Sequence, residues 1–562
     1  MWKALNLALS GAALFSRLAL SQSPSALPIV DLGYELHQAS TFNSTGAFYN
    51  FSNIRYAQPP VGDLRFRAPV PPHGRNTTVD NGSVGRICPQ ANPAWELIAA
   101  VFDPDYLEGK PFNLSATVAG LANQSGSLPS LDPRTTEDCL FLDVVVPQNI
   151  LKSASNSMNL TSGAPVLVWI YGGGYTAGDK SAHSPAGLIR ASQVNDTQGI
   201  IFVAMNYRLG ALGWLAGPTL QSDGTANAGL YDQRLALQWV QDNIHIFGGD
   251  PNRVTVIGES AGGGSIMHQI TAFGGLKGPA PFQRAVLQSA AFQNIVSNLQ
   301  QETTFDAFLS LLNVSTIEEA RQLPSSALIK ANIIQVANSS YGENSFGPVV
   351  DGLFAPAIPG KLLLQGSYDH SLTLMLGHNA DEGLLFTNPA IGNDTTFNTY
   401  LLSAFLTINP SVADYIENVL YPPTMPGTLG TTGYSDETGR VDLIISESTF
   451  TCNTFYLDKA FGNQTYAYQF SVPPALHGQD VAYTFFNGPS SSVVSVPIAV
   501  ALQEYITSFA INGGQPSGPS LPMFPIYSNA SDIIDLNATS ITEIMDPIAN
   551  SRCDWWQKEL YV

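Results

Sequence analysis

Short apolar runs alternate with helical patterns along this chain. Ala164–Tyr171, Ile200–Met205, Val254–Ile257 and Leu372–Leu376 are nearly continuous in hydrophobicity. A strand wetted on one face alternates apolar with polar residues, whereas a strand covered on both faces does not. These runs therefore predict strands of a parallel sheet with helices packed on both faces. Between the second and third, Leu237, Val240, Ile244 and Phe247 recur at helical spacing, and Gly248-Gly249 can cap the end. Strands alternating with helices indicate a doubly wound α/β architecture. From about residue 300 to 450 the pattern is less regular and predicts helical insertions over the sheet. No internal repeat or long low-complexity linker interrupts it.

Composition narrows the class. The chain has 562 residues, 44% of them hydrophobic and only 12% charged. That supplies a large core and does not fit disorder, which combines low hydrophobicity with high charge. Lys+Arg number 24 against 44 Asp+Glu, a net charge of -20. So acidic a surface repels phosphate backbones and anionic membranes, so nucleic acid is not expected as a partner.

The N-terminus reads as an export signal. Lys3 is the positive start, Ala4 to Phe15 a mostly apolar core and Ala19-Leu20-Ser21 a small-x-small cleavage site, with Arg17 intruding. We expect a signal peptide over 1–21, a single domain over 22–562 and a secreted, extracellular product. Residues 4–16 are too short to cross a hydrocarbon core of ~30 Å. The tail Cys553–Glu559 is too polar for a glycolipid-anchor signal, so no stable membrane anchor is expected. Fourteen Asn-x-Ser/Thr triplets start at Asn43, Asn50, Asn76, Asn81, Asn113, Asn123, Asn159, Asn195, Asn313, Asn338, Asn393, Asn463, Asn529 and Asn537. They predict N-linked glycans at surface positions. Cys88, Cys139, Cys452 and Cys553 can oxidise after export, and four cysteines allow three pairings. No Cys-x-x-Cys or close Cys/His spacing suggests zinc, and no metal site is expected.

The strongest chemical signal is Gly258-Glu259-Ser260-Ala261-Gly262, after the run Val254–Ile257 and before a helix-compatible stretch from Ala261. In Gly-x-Ser-x-Gly the serine sits on a strained strand-to-helix turn whose crowded backbone needs glycine on either side. A serine hydroxyl also needs a base. In this fold class the order is serine, acid, histidine. Of the histidines beyond Ser260, His268 falls in the helix leaving the turn, and His370 and His378 come too early. Only His477 follows an acid placed after Leu372–Leu376; it lies beyond the β-rich Tyr466–Phe470. Asp381 and Glu382 both follow that run, and pattern alone does not choose between them. Tyr171-Gly172-Gly173-Gly174-Tyr175 follows another strand, and its side-chain-free backbone can turn N–H groups toward a developing oxyanion. A dinucleotide fingerprint fits this loop poorly, because Gly178–Pro185 opens no helix to receive a pyrophosphate.

Together these motifs resemble the type-B carboxylesterase/lipase family, the cholinesterase-like branch of the α/β-hydrolases. The likeness extends to Arg55–Phe66, Glu137–Val144, Asn206–Gly210 and Gly248–Pro251, and covers most of the chain after residue 21. Overall the chain is most similar to secreted fungal members. The resemblance implies an α/β-hydrolase fold, with a large, mostly parallel central sheet, helices on both faces and helical insertions. It implies Ser260, Glu382 and His477 as catalytic triad, and the backbone of Gly173, Gly174 and Ala261 as oxyanion hole. It implies the disulfides Cys88–Cys139 and Cys452–Cys553, and no cofactor. The expected activity is hydrolysis of a small-molecule or lipid carboxylic ester through an acyl-enzyme. Small alkyl esters, aromatic (feruloyl-type) esters and glycerides are all candidates. A non-catalytic binding protein is the alternative from another class. Trp95 lies only seven residues after Cys88, unlike the choline-binding tryptophan of cholinesterases, which argues against choline esters. Trp95, Leu97, Ile98, Val101 and Phe102 cluster in the 88–139 loop, which is either a lipase-like lid or a static apolar wall.

Overall fold

The computed structural model describes residues 27–122, 130–156, 163–193, 198–423 and 433–562. The expected leader at 1–21 and the triplets at Asn123, Asn159 and Asn195 lie outside the described residues. The other eleven triplet asparagines are exposed or half-buried, none buried.

An eleven-stranded sheet runs through the molecule. In chain order its strands are β1 (Thr41–Asn43), β2 (Phe48–Arg55), β3 (Phe141–Pro147), β4 (Ala164–Ile170), β5 (Ile201–Met205), β6 (Gly249–Glu259), β7 (Arg284–Gln288), β8 (Thr373–Asn379), β9 (Tyr466–Ser471), β10 (Asp532–Asn537) and β11 (Ser540–Met545). Across the sheet the order is β11-β10-β9-β8-β7-β6-β4-β5-β3-β2-β1. The strands from β5 to β10 in that order run parallel. Antiparallel pairs finish both edges. Every residue of β5 is buried, and so is all of β4 and β8 after the first residue. Continuous apolar runs fall on these strands because both faces are covered. The edge strand β11 buries none of its residues fully.

The helices used below are α1 (Glu96–Leu107), α2 (Ala228–Asn243), α3 (Ala261–Ile270), α4 (Asn298–Leu312), α5 (Ser325–Ala337), α6 (Asp394–Ala404), α7 (Glu437–Ile445) and α8 (Cys452–Ala460). α2 begins before the stripe read from Leu237, because the stripe is interrupted at buried Gln233, which donates to Ser265 Oγ at 2.9 Å, and resumes at Leu230; buried Asp232 lies beside it. Asp232 is matched by the guanidinium of Arg208 at 2.6 Å. α2 ends in a tight turn, Ile244–Phe247, closed by Gly248 at φ 88°, where a residue without Cβ is at ease. The 300–450 stretch holds α4 to α7 as insertions but also contributes β8 to the sheet. Cys88 is bonded to Cys139 and Cys452 to Cys553, across separations of 51 and 101 residues. Closing loops of that length stabilises a fold by roughly 4 kcal/mol each in the chain-entropy account. Among the described residues no helix is long and apolar enough to cross a membrane.

Candidate active site

Ser260 sits between the end of β6 and the start of α3 with φ 55° and ψ −125°. Glycine is required on both sides. A Cβ on Gly258 would meet the carbonyl carbon of Gly262 at 2.6 Å, and one on Gly262 would meet the Ile170 oxygen at 2.0 Å. The sharp turn lifts Ser260 off the sheet at the N-terminus of α3, where free N–H groups favour negative charge.

The Ser260 hydroxyl lies 2.9 Å from Nε2 of His477. Nδ1 of the same ring lies 2.5 Å from Oε2 of Glu382. His477 hangs in the loop after β9 and Glu382 in the loop after β8, so adjacent parallel strands deliver imidazole and carboxyl to the same sheet end. Asp381, the other acid left open by the pattern, turns elsewhere: its N–H donates to the Ala475 carbonyl at 3.0 Å and its carboxyl engages Asp442. His268 is buried against Phe292, and burial alone drives its pKa down to about 3. His370 is exposed and bonded to Gly366. His378 is buried, with Nδ1 at the Asn379 carbonyl.

Electrostatics suit the His477 ring as a base. Burial pushes its pKa down, but the Glu382 carboxylate outweighs that, and the net shift is upward from 6.5. Burial also opposes charge on Glu382, yet His477 and hydrogen bonds from Ser289 and Asn379 hold its pKa below the ordinary value. The Ser289 hydroxyl donates to Glu382 Oε1 at 2.6 Å and the Asn379 N–H at 2.5 Å.

Gly173, Gly174 and Ala261 border the same cavity as Ser260. Gly173 has φ 98° and Gly174 φ 58°, and a Cβ on Gly173 would strike the Ala177 carbonyl at 2.5 Å. The three backbone N–H groups have no acceptor among the described residues. The cavity measures about 1170 Å³ and is walled by α4, the loop after α5, the end of α6 and Trp95. Its size suits a small organic molecule.

A sequence profile described as the Carboxylesterase family matches residues 37–556. The chain belongs to the carboxylesterase family. It is a carboxylic ester hydrolase. It is 41% identical to "Carboxylesterase patB" of Aspergillus clavatus over 96% of this chain and 97% of that one. It is 34% identical to a "Secreted lipase" of Arthroderma benhamiae over 75% of this chain and 83% of that one. Its fold is that of Aspergillus niger EstA, with a TM-score of 0.78, 24% identity, and coverage of 95% of this chain and 99% of that one.

Several residues of this esterase's site escaped the sequence reading. Ser289, just beyond β7, grips Glu382 and carries no motif; Asn379, three residues before the acid in an Asn-x-x-Glu-Gly setting, grips it too, a role the motif does not reveal. Glu259 is part of the pentapeptide, but its position is a surprise: Oε1 lies 3.5 Å from His477 Nε2. Burial raises the Glu259 pKa to about 8, so the carboxyl is mostly neutral near pH 7. Asp480 lies three residues beyond His477 and accepts from Gln288 at 2.9 Å and Tyr468 at 3.0 Å. Only the fold could bring β7, β9 and that loop together. Of the apolar residues in the 88–139 loop, Trp95 and Phe102 are buried, Ile98 is half-buried, and Leu97 and Val101 are exposed. Residues 123–129 of that loop lie outside the described residues.

Proposed function

We propose that this carboxylesterase hydrolyses esters by two-step acyl transfer, with Ser260 as nucleophile, His477 as general base and acid, and Glu382 as the carboxylate that orients the ring. The observation that carries the reading is the unbroken chain from Ser260 through His477 to Glu382, at 2.9 and 2.5 Å. Ser260 Oγ attacks the ester carbonyl as its proton passes to His477 Nε2. The new oxyanion is held by the N–H groups of Gly173, Gly174 and Ala261. Losing one such donor typically costs ~10²–10³ in rate. The tetrahedral adduct collapses, the C–O bond to the alcohol breaks, and His477 returns the proton to the departing oxygen. Water, deprotonated by His477, then attacks the acyl-serine and releases the acid.

Export is part of the proposal, with a signal peptide over 1–21, one domain over 22–562 and N-linked glycans. The apolar leader, the two disulfides and the kinship with a protein named a secreted lipase support it. Glycerides are a second reading of the substrate, favoured by the exposed Leu97 and Val101 on α1, the helix that begins at the cavity-lining Glu96.

The test is Ser260→Ala assayed on p-nitrophenyl acetate. We expect a loss of roughly 10³-fold or more. Unchanged turnover would remove this serine from the chemistry.

A further inference from the structure

We propose that Asn344 is a specificity-determining residue that recognises a hydroxyl group on the acyl part of the substrate. The preferred esters are then hydroxy esters rather than plain alkanoates. The inference rests on the reading of Ser260 as the nucleophile, and names the substrate class of that site.

Asn344 belongs to the loop that follows α5 and lines the cavity wall. The backbone of this loop is fixed from several sides. Ser345 N–H donates to Ser339 Oγ at 3.0 Å, and Ser345 Oγ to the Gln335 carbonyl at 3.1 Å. The Trp95 indole donates to the Glu343 carbonyl at 2.8 Å. With its carboxamide turned to satisfy both ends, Gln293 donates to the Asn344 carbonyl at 2.6 Å and accepts from the Asn344 N–H at 3.2 Å. The main chain of Asn344 is thus clamped, while its own carboxamide has no hydrogen-bond partner among the described residues.

That carboxamide stands against the oxyanion loop. Its Nδ2 lies 2.5 Å, and its Oδ1 2.8 Å, from the point where a Cβ on Gly174 would sit. It therefore touches the backbone that cradles the reacting carbonyl, in the cavity that Ser260 and Ala261 share. Before substrate enters, water can serve such a group. Once an ester fills the cavity and strips that water away, an unmatched carboxamide costs free energy unless the ester supplies a partner.

The matching chemistry follows from the neighbours. A carboxamide both donates and accepts, as a hydroxyl does. Glu96 and Glu343 border the same cavity, and their carboxylates repel an anionic substituent. Burial holds Glu343 up to about 7, so a fraction of it is charged at neutral pH. The leaving alcohol must lie against His477, which protonates it. Asn344 stands instead at Gly174, so the recognised hydroxyl falls on the acyl side, near the scissile carbonyl.

The experiment measures kcat/KM in a pH-stat for two isosteric pairs. Ethyl 2-hydroxypropanoate is compared with ethyl 2-methylpropanoate, and ethyl 3-hydroxybutanoate with ethyl 3-methylbutanoate. Each ratio is divided by the corresponding ratio of hydroxide-catalysed rates, which removes intrinsic reactivity. Rates are expressed per serine titrated by diethyl p-nitrophenyl phosphate, so misfolded protein drops out. We expect a preference of roughly tenfold or more for the hydroxy ester in at least one pair, as an unmade buried hydrogen bond implies. In Asn344→Leu and Asn344→Ser that ratio should fall towards one. Ratios within twofold of one in the wild type, or a preference that survives both variants, overturn the proposal. Wild-type protein that hydrolyses none of the four esters and leaves the phosphate reagent unreacted would refute the nucleophile assignment instead.

Discussion

Ser260 keeps a left-handed φ that serine adopts only at a cost of about 1–3 kcal/mol. The surroundings enforce it: Ser260 N–H donates to the Gln288 carbonyl at 3.0 Å, while the Ser260 carbonyl accepts from Gly264 at 2.8 Å and Ala291 at 3.1 Å. The partner base sets the pH dependence. In the proposed mechanism only neutral His477 takes the serine proton, and its pKa is raised above 6.5 because Glu382 outweighs burial. Activity should therefore fall as pH drops, with the midpoint of the kcat/KM profile above 6.5. Glu382→Gln removes the charge that raises the pKa, so the midpoint should move to lower pH while kcat drops by ~10²–10⁴-fold. Parallel pH–rate profiles of the two proteins check this; an unmoved midpoint contradicts the pairing. At this scale Ser260 and His477 could be read from the sequence because glycine punctuation and chain order constrain them. Glu382 could not be separated from Asp381 by spacing, since neighbours in an extended loop point opposite ways. Their directions are fixed by the pairing of Asp381 with Leu476, a contact across 95 residues of chain, and in the sequence only the family likeness pointed to Glu382, the carboxyl that meets His477.

α1 is the element whose role the sequence left divided. Its surface carries Leu97 at 57% exposure and Val101 at 42%, as a lid docking on lipid requires. Yet one end is tied to the cavity wall and the other to the segment ahead of α7. The Trp95 side chain is buried, with its indole on the Glu343 carbonyl at 2.8 Å. Tyr106 hydroxyl donates to Asp436, just ahead of α7, at 3.1 Å. Opening α1 as a rigid flap would break the first bond and expose the ring. We therefore expect the rate on tributyrin to rise smoothly through its solubility limit. A several-fold jump at the onset of emulsion would show that α1 opens, and would favour the glyceride reading. The other elements show what patterns can convey. β4, β5, β6 and β8 announced themselves because both of their faces are covered. β1, β2 and β11 did not, because strands at or next to a sheet edge mix polar and apolar residues as loops do.

Across the whole molecule, acidity is stored inside as well as outside. Burial raises the pKa of Asp381 and Asp480 to about 6, of Asp103, Glu343 and Glu559 to about 7, and of Glu259 to about 8. In an unfolded chain these carboxyls lose their protons near pH 4. Between there and pH 8 the folded protein holds protons that the unfolded chain has released, so stability falls as pH rises. His477 acts in the same direction: its raised pKa stabilises the fold at low pH, and that contribution is lost as pH climbs through the folded value. Glu382 opposes them, since its lowered pKa stabilises the fold above 4.5 and loses that effect as pH falls through the folded value. Asp31, Asp132 and Asp223, held down by arginines, and His268, kept neutral by burial, oppose them as well. More carboxyls are raised, however, Asp232, Asp351, Asp442 and Asp458 among them, and the net charge of -20 adds repulsion at high pH. The thermal midpoint at pH 5.5 should therefore exceed that at pH 8.5 by ~5 °C or more at equal ionic strength, read by scanning calorimetry at one scan rate. A midpoint that rises across that range would mean the buried carboxyls are already ionised at pH 5.5. If it falls as expected, stability and activity pull in opposite directions, because the acid that favours the fold protonates the His477 ring that must accept the serine proton.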